Sequence, residues 1–136
     1  MAPTTDLKEL LPWSYPFLMV DRMVDCVPHV SAVTSKQVTA GEVGDGCFPS
    51  VLILEGLSQT AALLFRLSYG PEALAGAPLL GYLKAKFRSG AQPGDTLLYT
   101  VTAIKMTSRR GVFAGVARVG ATVIAVTELA FGVSAP

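Results

Sequence analysis

Glu55 and Gln59 stand one helical turn apart inside the most apolar stretch of the chain, CFPSVLILEGLSQTAALLF, residues 47–65. A carboxylate can take up or deliver a proton, and an amide can orient it or hold a substrate oxygen. Burying such a group is costly unless it is paired or used, so a ligand-facing pair is expected here. The plain alternative is a polar pin, in which the two side chains bond each other and a partner subunit across a dimer seam. Cys47 lies just ahead of the same helix, where the helix dipole could lower a thiol pKa. No histidine accompanies it, and a small space-filling cysteine is the simpler expectation. His29, the one histidine, falls in a turn and is expected to be solvated. No metal-ligand spacing, phosphate loop or Ser/His/Asp set occurs, so neither metal nor cofactor is expected.

The elements that must position these residues follow from periodicity. Residues 5–11, TDLKELL, read as a short helix capped by Thr5 or Asp6. Pro12 and Pro16 then impose an irregular stretch. The segments 17–27 and 30–39 read as two strands joined by a Pro28-His29 turn, and GEVGDG, residues 41–46, reads as a loop. Pro49 suits the first turn of a helix that runs to Ser68 or Tyr69 and stops at Gly70-Pro71. Apolar residues occur on every side of that helix, which predicts burial all round. The second half switches to period two. Tyr82, Lys84, Lys86 and Arg88 alternate with Leu83, Ala85 and Phe87, as in a half-buried strand, and three further strands follow. Asp21-Arg22 is expected as a strand-end ion pair and Asp95 as a turn acceptor. Two strands, one buried helix and four strands predict an α+β hot-dog fold, an antiparallel sheet wrapped around one long central helix at about residues 50–69.

The totals narrow the function. With 136 residues the chain suits a single domain spanning residues 1–136. Hydrophobic residues make up 51% and charged residues 15%, against a usual charged share of about 25%. So few charges predict that apolar surface is covered between subunits, most simply in a homodimer or a dimer of dimers. A net charge of +1 argues against a nucleic-acid partner. Cys26 and Cys47 could form one bridge, but without a secretion signal two free thiols are the expectation. The apolar run carries Glu55, Ser58, Gln59 and Arg66, which argues against a membrane span, and the expected location is the cytoplasm.

Three segments carry a resemblance. LLPWSYPFLMVDRM, FPSVLILEGLSQ and AKFRSGAQPGD resemble, in order and spacing, motifs of the 3-hydroxyacyl-acyl-carrier-protein dehydratases of fatty-acid synthesis. The resemblance implies a hot-dog fold and an acyl thioester, on acyl carrier protein or coenzyme A, bound in a tunnel beside the central helix. It places the family's glutamate at Glu55 and its amide at Gln59. The family also uses a histidine from the other side of a dimer-interface tunnel, fourteen residues before the glutamate. That position here is Gly41, and the loop's histidine, phenylalanine and first proline are missing. The chain therefore resembles a divergent member.

Dehydration removes an α proton and protonates a leaving hydroxyl, tasks usually shared by histidine and a carboxylic acid. With histidine absent, Glu55 would serve both as acid/base. Hydrolysis of the thioester by Glu55 is the second enzymatic reading. The third is a non-catalytic subunit that pairs with a histidine-bearing dehydratase. For a polarised thioester carbonyl, the N–H groups of Ser50 and Val51 at the helix start are the expected oxyanion donors, within a substrate-binding run Cys47, Phe48, Pro49, Ser50 and Val51. Lys84, Lys86 and Arg88, with Arg109 and Arg110, offer a cationic surface to an acidic carrier protein, against the default of a solvated face.

Overall fold

Residues 7, 11, 18–43, 46–74 and 78–133 are described by a computed structural model. The strands are β1 (Arg22–Val27), β2 (Ser31–Gln37), β3 (Pro78–Phe87), β4 (Thr96–Met106), β5 (Arg110–Val119) and β6 (Thr122–Val133), and the helix is α1 (Ser50–Tyr69). Every pairing is antiparallel, and the sheet order is β1-β2-β4-β5-β6-β3. This is the hot-dog architecture. The expected helix at residues 5–11 lies mostly outside the described residues. Leu7 and Leu11 are both buried, and the Leu11 N–H donates to the Leu7 carbonyl at 3.0 Å.

Alternation decides which side of the sheet meets the helix. Ala32, Thr34 and Lys36 of β2 are buried, as are Leu97, Tyr99 and Val101 of β4. α1 packs chiefly on β4, with β2 and β5 beside it. Ile53, Leu57, Ala61, Leu64 and Phe65 supply its covered face. Ile53, Leu57, Leu64 and Phe65 each contribute about 1.5–3 kcal/mol by leaving water. Phe65 meets Phe131 edge-on at 5.3 Å, and Phe131 stacks on Phe113 at 5.2 Å. The helix closes at Gly70, whose φ of 96° lets its N–H reach the Arg66 carbonyl at 3.0 Å. By length and apolarity α1 could cross a bilayer, yet 56% of its most apolar window is buried in the fold. It is a core helix.

Several expectations are corrected. Within this chain α1 is not buried all round. A stripe through Val51, Glu55 and Ser58 stays exposed or half-exposed, because the sheet wraps only the opposite side. Pro49 takes the cap position ahead of the helix rather than its first turn. The loop at 41–46 begins as a 3-10 turn, Ala40–Glu42, closed by a reciprocal box with Thr39; residues 44 and 45 lie outside the described residues. β3 is not half-buried. Leu83 and Pro78 are partly covered and the rest of the strand is exposed, because β3 is a sheet edge paired on one side by β6. Asp21 pairs with Lys36 at 3.9 Å, not with Arg22, and accepts from the Gln37 N–H at 2.7 Å. Asp95 does accept in its turn, from the Gln92 N–H at 2.8 Å.

Candidate active site

The open stripe of α1 is where the carboxylate emerges. Glu55 is half-buried, and its Oε2 accepts from Gln59 Nε2 at 2.9 Å. Gln59 is fully buried, and its Oε1 accepts from the Met19 N–H at 2.6 Å. The amide is thereby fixed from the segment before β1, and it presents an N–H to the carboxylate. Glu55, Ser58 and Ala62 then line a cavity of about 120 Å³ with Pro78 and Leu80 of β3 and Phe131 of β6. The carboxylate thus borders an apolar recess beside the sheet edge that β3 leaves unpaired among the described residues.

Ahead of it, the helix start is uncapped by any side chain, because the cap residue is Pro49. The Pro49 carbonyl accepts from Leu52 at 3.0 Å and Ile53 at 3.4 Å, so the N–H groups of Ser50 and Val51 lie in front of the first helical bonds. Val51 is 68% exposed and shares the stripe of Glu55. One turn of helix, about 5.4 Å, separates them along the axis. Phe48 is buried, with its N–H on the Ala91 carbonyl at 2.8 Å. Cys47 is an exposed free thiol that accepts from Gln92 Nε2 at 3.1 Å, and Cys26 is a buried free thiol.

The remaining expected residues are spread apart. His29 is exposed, at φ 68°, with its N–H on Ser68 Oγ at 2.7 Å and its ring edge-on to Tyr69 at 5.0 Å. Ser68 is thirteen residues beyond Glu55, about 20 Å along the helix axis. The chain's own histidine therefore cannot serve Glu55 of the same subunit. Lys84 and Lys86 share one exposed face of β3, and Arg88 follows it. Arg109 and Arg110 sit at the far end, since Arg110 opposes Gly132 and Gly132 opposes Leu79. Nine residues separate Leu79 from Arg88, about 30 Å of strand. The five cations do not form one patch. Lys84 opposes Glu128, whose carboxylate takes a short hydrogen bond from the Tyr82 hydroxyl and holds that phenol's pKa above its ordinary value.

A second polar group escaped sequence reasoning. Lys36, 4% exposed, points inward from β2 and places its Nζ 2.7 Å from Glu42 Oε2 and 5.8 Å from the centre of the Phe48 ring. Glu42 Oε1 also accepts from Thr39 N at 3.0 Å and Thr39 Oγ1 at 2.9 Å. Partial burial works to raise the Glu42 pKa, but the bonds from Lys36 and Thr39 and the Lys36 charge outweigh it and hold the carboxyl below its ordinary value. The loop is pinned to the sheet through this carboxylate. The signal was available: Lys36 has the parity of Ala32 and Thr34, so an inward β2 face necessarily carries it inside.

A family model of the FabA-like domain matches residues 11–128. The chain belongs to the FabA-like domain family. Curated relatives of this FabA-like domain include the 3-hydroxyacyl-[acyl-carrier-protein] dehydratase FabZ of Enterococcus faecalis, 37% identical over 135 residues, covering 93% of this chain and 94% of that one. The FabZ of Gluconacetobacter diazotrophicus is 41% identical over 129 residues, covering 88% of this chain and 79% of its own. Among solved structures, the dehydratase heterocomplex ApeI:P from Xenorhabdus doucetiae matches with a TM-score of 0.83 at 13% identity, over 98% of this chain and 93% of that chain. The smu.793 protein of Streptococcus mutans, bound to acetyl CoA, gives 0.74 at 14%, over 91% and 95%. At those identities the structures show the shared hot-dog fold of the FabA-like domain.

Proposed function

We propose that this FabA-like domain is a dehydratase-type protein that binds a 3-hydroxyacyl thioester against Glu55, in the cytoplasm and in fatty-acid synthesis or a related acyl pathway. The observation that carries the reading is the carboxylate itself, oriented by Gln59 and bordering an apolar recess. The acyl chain lies along the recess of Ala62, Leu80 and Phe131, and the thioester carbonyl faces the N–H groups of Ser50 and Val51. Those donors stabilise the negative charge that grows on the carbonyl oxygen as the α proton leaves. Glu55 takes that proton. The C–H electron pair forms the C2–C3 double bond, and the 3-hydroxyl departs as water with the proton that Glu55 returns. No cofactor enters this balance.

The edge of β3 supplies the assembly. Leu79 is 67% exposed and Leu80 57%, on a ten-residue strand whose outer backbone edge is unpaired among the described residues. Such an edge invites pairing. A second copy, laid antiparallel on β3, continues the sheet and roofs the Glu55 recess, because Pro78 and Leu80 belong to both. Sedimentation at micromolar concentration should find a dimer; a monomer there removes the proposed tunnel.

A second reading has its own support. His29 lies about 20 Å along the helix from Glu55, and Gly41 occupies the position the resemblance gives to histidine. A histidine-bearing homologue in place of the second copy would supply that group, and a solved relative in fold is itself described as a dehydratase heterocomplex. Intact-mass analysis of 3-hydroxyacyl carrier-protein thioesters separates the readings. Loss of one water from the intact conjugate, slowed about 100-fold or more in Glu55→Gln, establishes the dehydratase. Release of free carrier makes the protein a thioesterase. An unchanged conjugate that still binds leaves the partner-subunit role alone.

A further inference from the structure

Beyond its first turn the central helix carries three hydroxyl side chains, Ser58, Thr60 and Ser68. Two of them bond back to the helix. Thr60 Oγ1 donates to the Gly56 carbonyl at 2.8 Å, and Ser68 Oγ to the Leu64 carbonyl at 2.7 Å. That bond, four residues back, is an ordinary resort of a hydroxyl in a helix interior. Ser58 leaves it unmade. Its hydroxyl has no hydrogen-bond partner among the described residues, and the side chain stands half-buried in the wall of the Glu55 recess.

Glu55 and Ser58 make the polar end of this recess, since Ala62, Pro78, Leu80 and Phe131 complete its lining. Glu55 spends Oε2 on Gln59, while its Oε1 has no hydrogen-bond partner among the described residues. Residues three apart on a helix hold their Cβ atoms about 5–6 Å from each other. The Cα–Cβ bond of Ser58 also tilts toward the helix N-terminus, the side on which Glu55 stands. One substrate oxygen can therefore touch both side chains. An acyl chain that runs from the N–H groups of Ser50 and Val51 past Glu55 to Ala62 carries its C3 by this spot.

We propose that Ser58 binds the 3-hydroxyl of the acyl chain and, with Glu55, selects 3-hydroxyacyl thioesters over plain saturated ones. This rests on the acyl-thioester reading of the Glu55 site. A hydroxyl offers one donor and two acceptor sites, so the 3-hydroxyl donates to Glu55 Oε1 and accepts from Ser58 Oγ. Once Glu55 holds the α proton it becomes the donor. The C3–O bond then breaks as the C2–C3 double bond forms, and the departing water keeps its own hydrogen and the one from Glu55. Ser58 keeps its proton throughout, and its bond strengthens as negative charge gathers on the leaving oxygen. A methylene at C3 would cover both polar groups without satisfying them, which is the costly arrangement. Two contacts and a chain direction make three points, so one enantiomer of the 3-hydroxyl is favoured.

The test is calorimetric binding of non-hydrolysable pantetheine amides of hexanoic acid and of each 3-hydroxyhexanoic acid enantiomer. Wild type is expected to bind the better enantiomer tighter than the plain acyl amide. In Ser58→Ala that preference should fall about three- to tenfold, the worth of one neutral hydrogen bond, while the plain amide binds as before or tighter. Alanine is the stronger helix former, so the variant's ligand-free melting temperature should equal or exceed wild type. A preference unchanged in Ser58→Ala, or no preference in wild type, overturns the role of Ser58 and leaves the acyl-thioester reading standing. An equal loss for both kinds of ligand in the variant takes Ser58 off the 3-hydroxyl and overturns the assignment. Binding of none of the ligands by wild type overturns the acyl-thioester reading, and the Ser58 contact with it.

Discussion

Gly41→His is expected to raise dehydration of 3-hydroxyacyl carrier thioesters by about 100-fold or more, the usual contribution of one well-placed general acid or base. The backbone permits the substitution. A Cβ built on Gly41 meets nothing within 4 Å, and its φ lies outside the left-handed region that would strain a side chain. The position is also held still. Glu42, its neighbour, is bonded by Lys36 and by Thr39, so the loop that would carry the imidazole is already fixed to the sheet. The gain should appear with a new limb in the pH profile near 6.5, the ordinary histidine value. Wild type, lacking that group, should lack the limb. A folded Gly41→His protein with no gain would show that the absent imidazole is not what separates this chain from active dehydratases. Single-turnover mass analysis across pH reads both the rate and the limb.

Gly56→Ala should cost roughly 3 kcal/mol of stability, at the upper end of the usual range for overpacked cores. For a chain of this size that is about a 10 °C fall in melting temperature. The new methyl would stand 2.6 Å from Tyr99 Cε2 and equally close to its Oη. Neither side can yield easily, since the ring is fully buried and Gly56 lies on the covered face of α1. Helix propensity alone would favour alanine here by about 1 kcal/mol, so the sign of the effect decides which term wins. A melting temperature at or above wild type would mean that the sheet and helix are not in contact at this point. Tyr99→Leu, which removes the ring, should recover much of the loss in a double-mutant cycle.

Much of this protein was legible because local rules and tertiary packing agreed. The order of elements along the chain, the single long helix ending at Gly70 and the Pro28-His29 turn follow from period, capping and glycine chemistry, all of which act over a few residues. Glu55 and Gln59 could be singled out because a carboxylate in so apolar a run contradicts composition. Their i, i+4 spacing already required that they share a helix face, and the structure adds the Met19 N–H that fixes the amide.

The failures have one cause, distance along the chain. β3 reads as a half-buried strand from its alternation, but its place at the sheet edge depends on pairing with β6, some forty residues away. The helix reads as buried all round, yet a six-stranded sheet wraps one side and leaves the Val51–Glu55–Ser58 stripe open. The cations of β3 and those of the β4–β5 turn read as one group when counted along the sequence, whereas the ladder holds them a strand length apart.

By itself the sequence determined the element order, the hot-dog fold and the odd carboxylate of the central helix, because each is written in neighbouring residues. Only the tertiary structure decided that Lys36 meets Glu42 indoors, that Tyr99 packs its hydroxyl against Gly56, and that Glu55 opens beside the edge strand β3. Those are contacts between segments far apart in the chain, and close packing of a twisted sheet on a helix sets them.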